Sequence, residues 1–432
     1  MSSGRRCRST GRAGLACFAL ASAPAVTLAG GYEVAQQSAV AAGTGSASTA
    51  RDDDAGGAWY NPAALADGGG LRTALGVTFA LSSIYAEAQP QSPDAPWSVG
   101  TDREVSTPAY LYASAAYADW VAGVSVNTPF GSSIAWPEGW PARFDILMSK
   151  FQLLRLAPFF GYRLGPVRLA AGPQFDFARF NAKRATQHVI YEGSSALVAS
   201  GVGFGGQAAA FFDLGEYAQA GVSYKSRAHL PLDGDADFSV PEVFARRFPD
   251  QRVSLDWTVP DRIAAGLAVD AGDFRVLLDF TATLWSVNDS LEFDFSEEVT
   301  DDREQINEWR DSFALRTGLE WTTPFEPLLV RAGFYADGLP SPPPPDETLS
   351  PSSPDATRLA LTMGGTGHIT DYLAFDAFYE HLRLLERSST SPDAPLATYR
   401  GHAHVFGIAV RGHTPFAAAE PAPEPKPAPA PP

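Results

Sequence analysis

The sequence predicts an all-β protein, a 14-stranded antiparallel transmembrane β-barrel plugged by an N-terminal hatch. Three patterns lead to this prediction. Segments of about 9 to 14 residues alternate apolar and polar side chains. Short and long connections follow one another in turn along the chain, as in outer-membrane barrels with short periplasmic turns and long outer loops. After the N-terminal region, no window offers about 18 uninterrupted apolar residues, which excludes a helical membrane protein.

The composition agrees with alternating strands and excludes one class of function. Hydrophobic residues make up 45% of the 432 residues, and 27 Phe, 14 Tyr and 9 Trp favour strands over helices. The mean hydropathy is nevertheless only -0.10. The formal net charge of -17 makes the chain a poor binder of nucleic acid, because neutralising phosphates requires a basic face.

Residues 1–29 have the features of a secretory signal peptide. Arginines between positions 5 and 12 precede a mostly apolar run of small residues at 13–26, and 27–29 is a suitable cleavage site. A membrane helix is the alternative, which the short, Ala-rich run disfavours. Cys7 and Cys17 both fall in this segment, so we expect a mature chain without disulfides, zinc–thiolate sites or cysteine nucleophiles.

Residues 30–70 are the predicted hatch. From 31 to 65 the chain is rich in Gly, Ala and Ser and has few of the branched residues that build strands or packed helices. Pro62 fixes one φ angle and biases Asn61 toward an extended conformation, just before Ala63. Such a segment cannot form a core of its own, so we expect it to fold inside the bore of a barrel that spans 71–416.

The barrel is predicted from fourteen alternating segments. These are 71–84, 109–117, 119–128, 151–164, 167–180, 200–213, 216–227, 261–270, 273–284, 312–322, 327–336, 357–368, 372–384 and 401–411. The long connections are 85–108, 129–150, 181–199, 228–260, 285–311, 337–356 and 385–400. Short turns of about two residues join the other strand ends, which places the long loops at one end of the barrel.

The two faces of the strands indicate which side meets lipid. In the ninth strand Phe274, Val276 and Leu278 share one face, whereas Arg275 and Asp279 share the other. A charge that faces lipid at mid-depth costs about 2 to 4 kcal/mol, so the charged rows should face the lumen. Aromatic residues near strand ends are the expected girdle: Trp120, Tyr224, Trp321 and Tyr372.

Residues 417–432 form a Pro/Ala-rich stretch, which predicts an extended, disordered tail. With an even number of strands, both ends of the barrel lie on the periplasmic side. The tail could therefore reach the cell wall, or it could end there without a partner.

Short motifs spread over most of the chain resemble one family. The stretch with Gln37-Ser38, Asp52-Asp53-Asp54-Ala55 and Tyr60-Asn61-Pro62-Ala63 resembles the hatch of the FadL-type outer membrane transporters of long-chain fatty acids and aromatic hydrocarbons. The resemblance continues in order through Thr128-Pro129-Phe130-Gly131, then Trp136, Trp140, Arg143 and Ser149, and returns in Trp309-Arg310-Asp311, Arg331-Ala332-Gly333 and Pro354-Asp355-Ala356-Thr357-Arg358.

The resemblance implies a passive channel without a cofactor. In that family apolar substrate docks in a groove among outer loops and passes to a site inside the barrel. It leaves past the hatch, or sideways through an opening in the wall made by a kinked strand. Asn61-Pro62-Ala63 carries over as the hatch signature, and 119–131 corresponds to the kinked strand, which Gly123 and Pro129 could bend. No short motif marks the family's interior carboxylate-binding cations.

The outer loop at 129–150 is the first candidate for binding a hydrophobic ligand. It carries Phe130, Trp136, Trp140 and Phe144, and exposed apolar patches usually mark binding surfaces. The alternative is that the loop packs onto its neighbours. Arg143 could meet a ligand carboxylate, or it could pair with a carboxylate of the same loop, Glu138 or Asp145.

Lumenal arginines are the second candidates. Arg316, Arg331 and Arg358, like Arg275, point inward in the predicted register. Each could contact a ligand or pair with a lumenal carboxylate; the candidate carboxylates are Asp279, Glu320 and Asp376.

Signals of enzyme chemistry are weak. The glycines at 201–206 match a dinucleotide motif, but no helical pattern follows them. His402 and His404 share a strand face without a third ligand nearby in sequence, so no metal site is predicted. We therefore expect no enzyme, metal or cofactor.

Two rival functions remain, a barrel lipid hydrolase and a structural or adhesive barrel. The choice of substrate, the exit route and the oligomeric state do not follow from the sequence.

Overall fold

The computed structural model describes residues 31–67, 69–92, 95–188, 191–325, 328–344, 348–390 and 395–416. The predicted signal peptide at 1–29 and the predicted tail at 417–432 lie outside the described residues. No helix in the described part of the chain is both long and apolar enough to cross a membrane.

The protein is a closed 14-stranded antiparallel barrel, and each predicted strand has its counterpart. In chain order the strands are β1 Gly70–Ala88, β2 Ala109–Tyr117, β3 Trp120–Ala135, β4 Met148–Leu164, β5 Val167–His188, β6 Tyr191–Asp213, β7 Ala218–Lys225 and Ala228–Ser239, β8 Gln251–Val259 and Arg262–Ala271, β9 Phe274–Thr283 and Ser290–Phe295, β10 Arg303–Ile306 and Ser312–Thr322, β11 Leu328–Asp337, β12 Arg358–Thr370, β13 Leu373–Ser388 and β14 Ala397–Thr414. Short strands Ser98–Gly100 and Val105–Ser106 pair with the outer part of β1.

The first and last strands close the barrel. The register of β1 with β14 runs without a break from Leu71 opposite Thr414 to Ala88 opposite Ala397. Because no sheet edge is left open, the backbone of this seam is fully paired, as a lipid environment requires.

The predicted faces are confirmed. Phe274, Val276 and Leu278 are exposed on the outside of β9, whereas Asp279 is buried inside. The four aromatic residues expected as a girdle are all exposed near strand or segment ends, between 38% and 56%: Trp120, Tyr224, Trp321 and Tyr372.

The prediction of long loops at 181–199 and 228–260 was wrong. Most of these residues extend β5 to β8 beyond the membrane as paired strands. In β7 and β8 the inward face changes phase where the strands are interrupted, at 226–227 and 260–261. Beyond that point apolar side chains such as Leu230 and Leu255 face inward, and charged ones such as Asp233 face outward. The outward face becomes polar and the inward face apolar, because beyond the membrane the outside of the barrel contacts water and not lipid.

Residues 31–67, called the N-terminal segment below, fill the bore. They form α1 Ala39–Gly43, α2 Gly57–Tyr60 and a 3-10 turn Pro62–Leu65, and almost all of them are buried. Inward-facing side chains of the wall hold the backbone: Asp279 accepts from the Ser48 and Thr49 amides at 2.9 Å. This arrangement is consistent with a hatch.

Small residues are required where the N-terminal segment touches the wall. Gly45 has a φ of +64°, and a Cβ there would lie 2.9 Å from the carbonyl oxygens of Phe334 and Thr317. A Cβ on Gly333 of β11 would lie 2.1 Å from the Gly45 nitrogen. The Gly-rich composition of the segment is therefore a consequence of backbone packed directly on backbone.

Candidate functional site: an outer cavity above an interior cation cluster

A large cavity lies among the outer parts of β4 to β10. Its volume is about 610 Å³, within the range of about 300 to 1,000 Å³ that small-molecule sites occupy. Its apolar lining comes from inward-facing side chains of the strand extensions: Phe180, Leu197, Phe238, Leu291, Phe293 and Phe295. We call it the outer cavity.

Charged groups stand at the rim of the outer cavity. Arg184 and Arg303 line it together with Asp145 from the loop between β3 and β4. Burial raises the pKa of Asp145, against the opposing effect of the two arginines. Lys183, Glu304 and Glu308 also line the cavity, so both signs of charge are present. Among these groups, Asp145 protonates more readily than a carboxyl group in water.

Tyr32 of the N-terminal segment forms part of the cavity lining and packs in an aromatic cluster. Its ring centroid lies 5.4 Å from that of Trp309, 5.7 Å from Phe151, 6.0 Å from Trp257 and 6.3 Å from Trp285. Burial raises the pKa of Tyr32 to about 12, with the charge of Asp355 adding to the effect, so the phenol stays neutral. This Tyr32 cluster separates the outer cavity from the interior.

The residue after Tyr32 ties the N-terminal segment to β3 and to the interior. Glu33 forms an isolated antiparallel bridge with Phe130, flanked by a 2.8 Å bond from the Val34 amide to the Pro129 carbonyl. The same carboxylate accepts from Arg262 Nε at 2.8 Å. The pairing of β3 with β4 shifts between Asn127 and Phe130, which is a bulge at the predicted kink.

Three cations surround the ring of Trp59 inside the barrel. Lys225 Nζ lies 4.4 Å from the ring centroid, and the guanidinium carbons of Arg155 and Arg262 lie 5.8 Å from it. Arg155 makes two bonds of 2.6 Å to Asp176, and both side chains are buried. We call these residues the Trp59 cation cluster.

Lys225 is the member of the cluster without an ion-pair partner in the described part of the chain. It is 2% exposed, and its Nζ has no hydrogen-bond partner in the described part of the chain. Asp176 and Glu33 pair with Arg155 and Arg262, so neither carboxylate is left to pair with Lys225. A buried ammonium without a partner is unfavourable, and an anion placed beside it removes that cost.

The hatch signature lies beside the cation cluster. Asn61 follows α2, and its amide nitrogen donates to the carbonyls of Thr49 and Ala210 at 2.9 and 3.0 Å. Its oxygen accepts from the Ala63 amide at 3.1 Å, which caps the turn that begins at Pro62. Ala210 belongs to β6, so the signature joins the N-terminal segment to the wall.

The predicted lumenal arginines are buried and paired. Arg331 donates at 2.6 Å to Glu320, one of the three candidate carboxylates, and also to Thr366. Arg316 lies 3.5 Å from Asp337, and Arg358 pairs with Asp355. Arg358 keeps two guanidinium nitrogens without a hydrogen-bond partner in the described part of the chain. Asp279, expected to pair with an arginine, instead holds the backbone of the N-terminal segment.

The loop after β3 packs on itself and on the loop between β11 and β12. Trp136 and Trp140 are each 2% exposed and stack at 4.5 Å, and their indole N–H groups donate to the carbonyls of Pro351 and Ile146. The two tryptophans therefore pack within the protein, which was the alternative to lining a ligand groove. They do not line the outer cavity.

Phe130, Arg143 and Phe144 also differ from the groove prediction. Arg143 lies 4.4 Å above the Phe144 ring and pairs with Glu192 of β6, not with Glu138 or Asp145, the two carboxylates named as alternatives to a ligand. Phe130 is buried beside Trp285, next to the Tyr32 cluster.

The sequence did not identify Tyr32, Arg155, Lys225 or Arg262. One signal was present: Lys225 is one of four lysines in the chain and shares the inward parity of Gly221 and Ser223 in β7. The convergence of β4, β7 and β8 on Trp59 requires the closed barrel and is not visible in any local pattern.

Comparison with known proteins agrees with the fold. Residues 20–413 match the family described as outer membrane protein transport protein (OMPP1/FadL/TodX). A Neisseria meningitidis serogroup B protein, named as an outer membrane protein, is 23% identical over 88% of this chain and 94% of its own length.

Solved structures share the architecture. A Pseudomonas aeruginosa FadL homologue superposes with a TM-score of 0.78 at 15% identity, covering 88% of this chain and 99% of that one. The Pseudomonas putida toluene transporter TodX gives 0.71 at 14% identity, over 88% and 99%. The monoaromatic hydrocarbon channel CymD gives 0.64 at 16% identity, over 91% and 100%. Members of the family are transport channels and not enzymes. The chain belongs to the FadL/TodX family of outer-membrane transporters of hydrophobic compounds.

Proposed function

We propose that this transporter is a passive channel for hydrophobic compounds that carry one carboxylate, with long-chain fatty acids as the first candidate. The observation that supports this choice is the buried amine of Lys225, which has no hydrogen-bond or ion-pair partner among the described residues. A carboxylate beside Nζ stabilises the ammonium form and accepts a charge-assisted hydrogen bond from it, whereas an uncharged hydrocarbon does neither.

The path begins in the outer cavity. Its apolar lining takes up the alkyl chain, and Arg184 and Arg303 at the rim attract the head group. Tyr32 must then move, because its ring packs against four other aromatic side chains and blocks the way from the outer cavity to the interior. The carboxylate proceeds to the Trp59 cation cluster, where Lys225 receives it.

The predicted site residues take more limited roles in this proposal. Phe130 belongs to the passage beside the Tyr32 cluster, and Arg143 with Phe144 shapes the loop that carries Asp145. The packed Trp136 and Trp140 support that loop. The lumenal Arg316, Arg331 and Arg358 balance buried carboxylates near the path.

Exit is proposed to occur at the bulge of β3 or past the hatch. The bulge between Asn127 and Phe130 interrupts the pairing of the wall, and the N-terminal segment bridges to it through Glu33. If the N-terminal segment moved away and broke the bridge between Glu33 and Phe130, the wall would open sideways at the bulge. Asn61, Pro62 and Ala63 keep the rest of the segment in place, so the bore stays closed to water.

The test replaces the ammonium with an uncharged chain of similar length. Binding of palmitate and of its methyl ester to the purified protein is measured by isothermal titration calorimetry in a non-ionic detergent. Lys225→Met should weaken palmitate binding about 10- to 100-fold, because one charge-assisted hydrogen bond is worth about 1.5 to 3 kcal/mol. Binding of the methyl ester should change little.

Lys150→Met is the matched control, since this side chain does not line the outer cavity and lies outside the cation cluster. It should bind palmitate like the unchanged protein. Equal losses for acid and ester in Lys225→Met would mean that the lysine supports the fold and not the head group. Tight binding of toluene without binding of palmitate would contradict the proposal. It would indicate an aromatic hydrocarbon as the substrate, with the Tyr32 cluster as its contact surface.

A further inference from the structure

A cluster of histidines and an arginine lies on the outside of the barrel, away from the transport path. His381 of β13 faces His404 of β14 at a ring-centroid distance of 5.0 Å, and His402 lies 5.8 Å from His404. Arg383 is the direct neighbour of His402 across the same strand pair. All four side chains lie on the outward face of the wall.

The height of this cluster matches the outer surface of the membrane. His381 stands nine residues beyond Tyr372, the exposed aromatic at the opposite end of the same strand. At about 3.4 Å per residue and a tilt of about 40°, the separation along the membrane normal is about 23 Å. The apolar band of an outer-membrane barrel is about 25 Å tall, so the cluster lies at the level of the outer head groups.

The surroundings suit an amphiphile. Leu361 lies directly opposite His381, whereas Met363 and Phe406 lie two residues closer to the membrane centre, opposite Tyr379. All three are exposed, by 43% to 65%, and provide a surface for acyl chains. Tyr85 stacks on His402 at 6.1 Å, and the Tyr379 hydroxyl shares a 2.8 Å hydrogen bond with His404 Nδ1. Aromatic side chains in this position are typical of the interface between apolar and polar layers.

Three of the four side chains of the cluster have unused donors. His381, His402 and Arg383 have no hydrogen-bond or ion-pair partner among the residues that the structure describes. Arg400, farther out, is different because it pairs with Glu87 at 3.1 Å and lies 3.9 Å from Glu386. No group of three or more His, Cys, Asp or Glu side chains in the described ranges could hold a metal ion. The free guanidinium and imidazole N–H donors suit an anion.

We propose that Arg383, His381 and His402 bind a phosphate of the lipid A head group, the phosphorylated glycolipid of the outer leaflet. A guanidinium group donates two hydrogen bonds to phosphate oxygens, and imidazole N–H groups add further donors on the same face. The acyl chains of the same molecule lie on the apolar surface below. Lipid A fits better than a zwitterionic phospholipid, whose amine would face the same basic groups.

Native mass spectrometry of the full chain in detergent tests the proposal. The probes are bisphosphorylated lipid A, enzymatically dephosphorylated lipid A and phosphatidylethanolamine. We expect the unchanged protein to retain bisphosphorylated lipid A in preference to both other lipids. The triple variant Arg383→Ala/His381→Ala/His402→Ala should lose at least about tenfold of that affinity, because it loses charge-assisted hydrogen bonds.

His368→Ala is the control, an exposed histidine at the periplasmic end of β12, and should bind like the unchanged protein. Arg383→Lys keeps the charge and should bind more tightly than Arg383→Ala. Equal retention by the triple variant would overturn the proposal, as would equal binding of dephosphorylated lipid A or of phosphatidylethanolamine. Folding of each variant is checked by the heat-dependent mobility of the barrel in electrophoresis. If the triple variant does not fold, the comparison of Arg383→Ala with Arg383→Lys decides.

Discussion

Asn61 holds the N-terminal segment through both ends of its amide. The nitrogen reaches one carbonyl within the segment, on Thr49, and one on the wall, on Ala210. The oxygen caps the turn at Ala63. The side chain is fully buried, so no water can replace a lost partner.

Replacing this residue should loosen the segment without unfolding the barrel. Asn61→Ala removes three hydrogen bonds at a buried site and should cost about 2 kcal/mol locally, which raises the population of the opened segment about 30-fold. Hydrogen exchange of residues 57–66 is the measurement. Asn181→Ala, at the outer end of β5, is the control and should leave exchange in 57–66 unchanged. Unaltered exchange in Asn61→Ala would show that packing alone holds the segment.

Residue chemistry explains what the sequence could and could not predict about the site. The inward direction of Arg316, Arg331 and Arg358 follows from strand alternation and is confirmed. The partner of each arginine depends on the register between strands, and alternation within one strand carries no information about register. Lys225 could have been assigned to the lumen in the same way, but its lack of an ion-pair partner depends on strands distant in sequence.

The bulge of β3 is the element that couples the wall to the N-terminal segment. The bonds from the Val34 amide to Pro129 and from the Gly131 amide to Tyr32 lie on either side of the bridge between Glu33 and Phe130. In an antiparallel pair this pattern defines the non-hydrogen-bonded position, where Cα atoms are about 4.5 Å apart. That separation is suitable for a disulfide.

A disulfide at this position should close the proposed side exit. Both native cysteines precede the described residues, so Glu33→Cys/Phe130→Cys introduces a defined pair. Under oxidising conditions, uptake of labelled palmitate into proteoliposomes should fall at least about tenfold, and a reductant should restore it, because the N-terminal segment can no longer leave the bulge. The control is the same double variant in its reduced form, which has both substitutions but no disulfide. Uptake that is the same in both redox states would assign the exit to another route.

At the level of elements, the membrane part of each strand was predictable and the outer extensions were not. Within lipid, one face must be apolar, and the ninth strand shows this directly in Phe274, Val276 and Leu278. Beyond the membrane the alternation continues with its faces exchanged. The Asp residues at 233, 235 and 237 favoured a loop because such residues are depleted in strands, although here they face water.

The charge of the whole bore depends on the N-terminal segment. Residues 31–55 contain Glu33, Asp52, Asp53, Asp54 and Arg51, a net charge of -3. Arginines of the wall face these carboxylates: Arg168 lies 3.4 Å from Asp52, Arg275 lies 3.3 Å from Asp53, and Arg262 lies 2.8 Å from Glu33. The segment therefore both fills the barrel and neutralises its lining.

Deleting residues 31–55 should turn the protein into an open, anion-selective pore. The barrel should persist, because its strands are paired with each other around a closed ring and β1 meets β14 along eighteen residue pairs. The deletion raises the net charge of the bore by three, because Arg262 loses Glu33 while Arg168 and Arg275 keep only Asp213 and Asp270. A bore lined with arginine selects anions. Single-channel recordings in planar bilayers measure both conductance and reversal potential. Adding Arg168→Gln, Arg275→Gln and Arg262→Gln to the deletion should keep the conductance and abolish the anion selectivity. Conductance equal to that of the full chain would mean that residues 31–55 do not close the bore. An open pore without anion selectivity would mean that the segment blocks the bore but does not neutralise its lining.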